Sequence, residues 1–135
     1  MALSPPVVLF LCVHNAGRSQ MAAALLEREA KGALTIYSAG SAPGEQLNPA
    51  VLEVLQEIGI DISANKPKKL TEQMGLDADV IVTMGCGDAC PYYPGKRYLD
   101  WELTDPAGAS FEIVRGIRDE IHARVKELAR ELLAT

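Results

Sequence analysis

The sequence predicts a doubly wound α/β domain built on a parallel sheet, and three observations lead there. Residues 7–11 and 79–84 are short apolar runs (VVLFL and DVIVTM), the form taken by strands covered on both faces. Helix-forming segments alternate with the strand-like ones. Loops rich in small residues follow the strands at 12–18, 84–90 and 100–108, which places all three on one sheet edge, where such folds keep their ligand crevice. The 135 residues, 48% of them hydrophobic, suit one domain over 1–135 with a substantial core.

Each element has a local reason. Residues 19–31, SQMAAALLEREAK, are strong helix formers, with Gly32 as the stop and Met21, Ala22, Leu25 and Leu26 as the inward stripe. Residues 33–40 read as a second strand ended by small residues. After the loop at 41–49, Asn48 caps a helix that has Pro49 at its first position and runs over 49–58 to Gly59. A connection at 60–69 carries Lys66, Lys68 and Lys69, and 70–74 make one or two helical turns. Strand 79–84 leads into a loop or short helix at 85–95 and a short fourth strand within 96–101. Trp101 is expected to pack in the core or against a loop. A second loop, 103–110, precedes an amphipathic helix at 111–133, with Phe111, Val114, Ile117, Ile121, Val125, Leu128 and Leu132 on one face.

Composition narrows the partners. The net charge of −5 gives no reason to expect nucleic-acid binding, so a small anion would be drawn by a local site and not by the whole-protein field. Residues 1–6 lack a positive n-region and include Pro5 and Pro6, so no signal peptide is expected, and the apolar run after them is too short to cross a membrane. The expected location is the cytoplasm. There, three cysteines point to redox or catalytic use and not to a disulfide framework.

The chemistry centres on C-x5-R-S, residues 12–19. Val13, His14, Asn15, Ala16, Gly17, Arg18 and Ser19 give enough backbone to wrap N–H groups around one tetrahedral oxyanion. The helix that follows turns its positive end to the same spot. Gly17 is expected to permit a backbone conformation that other residues resist. A Cys12 thiol facing N–H groups, a guanidinium and a helix N-terminus is favoured as thiolate. Arg18 offers planar bidentate donors. Ser19 either donates to the sulfur or caps the helix. His14 is not expected to act as a base, since such a loop turns its N–H groups inward and its side chains outward. The bland alternative is a buried Cys in an ordinary βα turn.

Asp105-Pro106 is an Asp-Pro turn by itself, but a carboxylic acid there can protonate a poor leaving oxygen, worth ~100 to 10,000-fold. Pro106 fixes the backbone beside it. Cys86 and Cys90 suit a redox pair, since two thiols yield two electrons on forming a disulfide. A zinc site lacks further ligands beside them, and two structural cysteines are the other alternative. No metal site is expected.

CVHNAGRS resembles the phosphate-binding loop of the low-molecular-weight protein tyrosine phosphatase superfamily, and in particular the arsenate reductases of the thioredoxin-coupled, three-cysteine type built on that fold. The resemblance covers essentially the whole chain. It implies a four-stranded parallel sheet with helices on both faces, Asn15 pinning the loop, and Asp105 as general acid. It also implies a relay in which Cys12 attacks arsenate, Cys86 attacks Cys12 to release arsenite, and Cys90 moves the disulfide to Cys86–Cys90. No tightly bound cofactor is implied. The reductant is thioredoxin, or a small thiol such as mycothiol with its mycoredoxin, and phosphate and sulfate are mimics of arsenate. In a helix, Cys86 and Cys90 would have Cβ atoms about 5–6 Å apart against the roughly 3.5–4.5 Å of a disulfide, so local unwinding is expected.

Some relatives hold potassium through the loop Asn, a Glu and further oxygens. Asn15 and Ser38 match, but Ala23 stands at the Glu position, so weak or no dependence is expected. Phosphatases of the superfamily commonly place aromatics after Asp-Pro; DPAGAS has none, and Tyr92 and Tyr93 follow Cys90 instead. A shallow site for an inorganic oxyanion is therefore expected, with residual phosphatase activity, in a monomer. The alternative is a tyrosine phosphatase proper.

Overall fold

The computed structural model describes residues 5–85 and 91–133. The elements run β1 (Val7–Cys12), α1 (Arg18–Ala30), β2 (Thr35–Gly40), α2 (Pro49–Gln56), α3 (Glu72–Asp77), β3 (Val80–Thr83), β4 (Arg97–Asp100) and α4 (Phe111–Leu133). The four strands form one sheet in the order β2-β1-β3-β4, every pair parallel. β1 therefore has strands on both sides. Its register sets Cys12 opposite Gly40 on β2 and Leu11 opposite Thr83 on β3.

Alternation along β1 divides the core. Val8, Phe10 and Cys12 face α1, α2 and α4, meeting Met21, Leu25, Val54 and Ile121. Leu9 and Leu11 face the other way, with Ala39, Ala78 and Ile81, against Leu70 and Met74 beside α3 and against Tyr93 and Tyr98. Helices thus lie on both faces, which explains why β1 and β3 are apolar at nearly every position. No helix among the described residues is long and apolar enough to cross a membrane.

The predicted caps and stripes are largely present. Asn48 Oδ1 accepts from the Ala50 N–H at 2.9 Å, with Pro49 at the first helical position. The stripe of α1 is fully buried at Met21, Ala22, Leu25 and Leu26. Several boundaries differ. α1 ends at Ala30, because Lys31 already adopts a left-handed φ of 51° and its N–H returns to the Glu27 carbonyl. Regular helix in α2 stops at Gln56, and Gly59 (φ 82°) closes the turn. α3 begins later than 70 because Thr71 Oγ1 accepts from the Met74 N–H, making Thr71 its cap. On α4, Val114, Ile117, Ile121, Val125 and Leu128 are buried as the periodicity predicts, but Phe111 is 50% exposed. It stands at the first residue of the helix, where the stripe runs past the core.

Candidate active site

β1 delivers Cys12 to the carboxyl edge of the sheet, where it is 2% exposed. Gly40 at the end of β2 lets the following loop lie close: a Cβ there would stand 2.5 Å from the Val13 carbonyl oxygen. The loop's carbonyls are taken up on its outer side. Ala42 donates to Val13 at 2.9 Å, Gly44 to His14 at 3.0 Å, Asn48 to Ala16 at 2.9 Å and Met21 to Gly17 at 2.9 Å. In a trans peptide the N–H points opposite to the C=O. The N–H groups of His14, Asn15, Gly17 and Arg18 are thereby turned inward, and that of Asn15 points at Cys12 Sγ at 3.3 Å.

Asn15 is the left-handed residue of the loop, with φ 50°. Gly17 is not left-handed; its φ of −144° and ψ of −87° are neither helical nor extended, and a Cβ there would lie 2.8 Å from Pro106 Cγ. Ser19 does not cap α1, whose N-cap is Gly17. Its Oγ lies 2.9 Å from Cys12 Sγ and accepts from Asn15 Nδ2 at 2.7 Å. His14 is exposed and is one of the residues lining the cleft.

Arg18 is the first residue of α1 and its side chain is only 9% exposed. A buried cation at a helix N-terminus opposes the helix dipole, an arrangement that a bound anion relieves. Its guanidinium donates to the Leu103 carbonyl at 3.3 Å and lies 3.8 Å from the Asp105 carboxylate. Asp105, half-exposed, has its other oxygen accepting from the Ala107 N–H at 3.0 Å, a turn that holds the carboxyl at the mouth of the site. Gly85 approaches Arg18 so closely that any Cβ would overlap the guanidinium. The ends of β1, β3 and β4 therefore converge on one spot, bringing Cys12, Arg18, Gly85 and Asp105 together.

The cleft above Cys12 holds about 500 Å3. The 44–49 loop and the 105–108 loop line it together with the 12–18 loop. Tyr92 and Tyr93 are not among the residues lining it. Tyr92 stacks on Tyr98 with ring centroids 4.9 Å apart, and Tyr93 lies flat on Gly75, where burial, with Glu72 and Tyr98 nearby, raises its phenol above the ordinary value. Trp101 packs on Phe10, 5.8 Å between centroids, under the Arg124 guanidinium. No cluster of three His, Cys, Asp or Glu that could hold a metal occurs among the described residues. Cys86 and Cys90 lie outside the described residues.

The family model for low molecular weight phosphotyrosine protein phosphatase matches residues 7–135. The chain belongs to this family. An arsenate reductase of Brevibacillus brevis is 36% identical over 126 residues, covering 90% of this chain and 92% of that protein. The solved Corynebacterium glutamicum thioredoxin-dependent arsenate reductase Cg_ArsC1' is 47% identical with a TM-score of 0.82 over 96% of this chain, which spans 62% of that protein's length. The YwlE arginine phosphatase of Geobacillus stearothermophilus is 28% identical with the same TM-score of 0.82, covering 95% of this chain and 93% of that one. The family's single-domain α/β fold, with its four-stranded parallel sheet, is the fold found here.

Residues that matter here and that the motif alone does not reveal are Gly40, Gly85 and Gln20. The two glycines are recognisable only once the strands are paired. Gln20 has one faint signal, a polar side chain inside an otherwise inward-facing turn between Ser19 and Met21.

Proposed function

We propose that the protein is an arsenate reductase. Arsenate sits among the N–H groups of residues 13–19 with Arg18 gripping two of its oxygens. Cys12 thiolate attacks arsenic, forming an S–As bond, and Asp105 gives a proton to the departing oxygen, which leaves as water. Arsenic is still pentavalent at that stage. Cys86 thiolate then attacks Cys12 Sγ; an S–S bond forms, the S–As bond breaks, and its electron pair stays on arsenic, which departs as arsenite. Cys90 attacks Cys86, freeing Cys12, and thioredoxin reduces the Cys86–Cys90 disulfide in the cytoplasm.

The observation that carries this reading is the position of Gly85. It lies against the Arg18 guanidinium and is the residue directly before Cys86. A phosphatase using water has no need of a thiol-bearing segment that begins at its anion site. The arsenate reductases among the relatives support the same assignment.

The test is arsenite production with thioredoxin and its reductase, and separately with mycothiol and mycoredoxin. Cys86→Ser is expected to lose the thioredoxin-supported turnover and keep hydrolysis of a small aryl phosphate. Arsenite production surviving in that variant with thioredoxin alone would refute the relay. A second reading, a phosphomonoester phosphatase, draws on the cleft of about 500 Å3, larger than an inorganic oxyanion requires and within the ~300–1,000 Å3 of organic ligand pockets. It becomes the better one if phosphopeptide kcat/KM greatly exceeds that for arsenate.

A further inference from the structure

A buried chain of side-chain amides leads away from Cys12, and its far end is fixed by backbone. The Lys68 N–H, which can only donate, lies 2.9 Å from Asn15 Oδ1. That contact settles which end of the Asn15 amide faces the 66–68 segment. Gln20 Nε2 donates to the same oxygen at 2.9 Å. Gln20 is itself oriented by the Lys66 carbonyl, which can only accept and lies 3.3 Å from Nε2, while Oε1 accepts from Asn65 at 3.3 Å. With its oxygen held there, Asn15 presents Nδ2 to Ser19 Oγ at 2.7 Å. An amide nitrogen only donates, so the hydroxyl accepts and its one proton is left for Cys12 Sγ, 2.9 Å away. Cys12, Asn15, Ser19 and Gln20 are each at most 2% exposed, so the links from Gln20 through Asn15 and Ser19 to the sulfur are buried.

We propose that Gln20, together with the backbone of Lys66 and Lys68, is a positioning device for the nucleophile: it locks the Asn15 amide in the one orientation that aims the Ser19 proton at Cys12 sulfur. A hydrogen bond to a charged sulfur is stronger than one to a neutral thiol, so the lock favours thiolate. Gln20 touches neither substrate nor sulfur and acts only through Asn15 and Ser19. The inference rests on Cys12 being the nucleophile, but its test reads thiol reactivity and not arsenate chemistry, so the two can fail separately.

Gln20→Glu places a carboxylate beside Asn15 Oδ1. The repulsion is relieved when the Asn15 amide turns, which brings Oδ1 to Ser19 and takes the hydroxyl proton from sulfur. Gln20→Leu removes one donor but leaves the Lys68 N–H in place. Iodoacetamide alkylation of Cys12, measured in a Cys86→Ser/Cys90→Ser background, is therefore expected to slow about tenfold at neutral pH in Gln20→Glu, the lower end of what one bond to a charged group contributes. Its pH profile moves upward, and Gln20→Leu shows a smaller change in the same direction. In a Ser19→Ala background neither substitution has a further effect. Equal slowing by both variants, an unmoved pH profile, or a persisting effect without the Ser19 hydroxyl would each overturn the proposal. If Gln20→Glu does not melt cooperatively, Gln20→Leu with and without Ser19→Ala decides the matter.

Discussion

Gly17→Ala asks whether the acid loop is seated by contact with the anion loop. The added Cβ would stand 2.8 Å from Pro106 Cγ, with Val51 Cγ2 3.5 Å away on another side. Carbon atoms in contact prefer about 3.5–4.0 Å, so one partner must retreat by roughly 1 Å. Gly17 is buried and held through the Met21 N–H to its carbonyl, with the neighbouring Ala16 carbonyl held by Asn48. The opposing loop is more exposed at Asp105 and Ala107, so the proline yields and carries Asp105 with it. A misplacement of that size at a reacting group costs up to ~100-fold. The loss should depend on how badly the leaving oxygen needs a proton. Turnover of arsenate and of an aryl phosphate with a poor leaving group is expected to fall roughly 10- to 100-fold, and that of a good leaving group only a few-fold. Steady-state kcat/KM with the three substrates checks this, and Gly17→Ala/Pro106→Ala, which removes the overlapping ring, should narrow the spread between leaving groups. A uniform loss across all three would mean that the anion cradle itself was damaged, and an absence of loss would mean that Pro106 does not position Asp105. Either outcome refutes the reasoning.

Gly85→Ala forces a Cβ into the Arg18 guanidinium at a φ of 88°, so the inhibition constant for phosphate should rise about tenfold or more, with a stability loss of about 1–2 kcal/mol from the backbone alone. Gly75→Ala places a methyl inside the Tyr93 ring, and thermal melts should show about 1–3 kcal/mol of destabilisation, most of it absent when Tyr93 is also replaced by Ala. Glu57 is held below the ordinary glutamate value chiefly by its hydrogen bond from Arg115, with Arg118 adding to it. A carboxyl lowered by folding contributes stability in full above its unfolded value and loses it as pH falls through the folded one. Glu57→Gln should therefore melt lower than wild type at neutral pH, with the gap closing on acidification below the ordinary glutamate range. A gap that stays constant with pH would place the effect elsewhere.

Much of this architecture is legible in one dimension because it is encoded locally. The strand at 79–84, the Asn48-Pro49 start of α2 and the stripe Val114, Ile117, Ile121, Val125 follow from periodicity and capping, which act over a few residues. The same holds for Cys12, Arg18 and Ser19, which one turn brings together. What periodicity cannot convey is where a helix outlasts its partner. Phe111 fits the apolar face of α4 and is half-exposed because the described residues cover it only in part. Contacts between distant segments are equally silent. The crowding at Gly17 comes from Pro106, at Gly40 from Val13 and at Gly85 from Arg18. Each looks in sequence like ordinary turn chemistry.

The convergence of three strand ends on one spot also bears on when the site comes into being. Cys12 and Leu103 are far apart along the chain, and the Arg18 link to the Leu103 carbonyl exists only once β4 has joined the sheet. Parallel pairings of this kind close large loops and form slowly. During synthesis Cys12 and Arg18 emerge well before the Leu103 carbonyl that seats the guanidinium. The anion cradle is thus complete only with the finished sheet, and an incompletely folded chain has no seated guanidinium with which to hold an oxyanion.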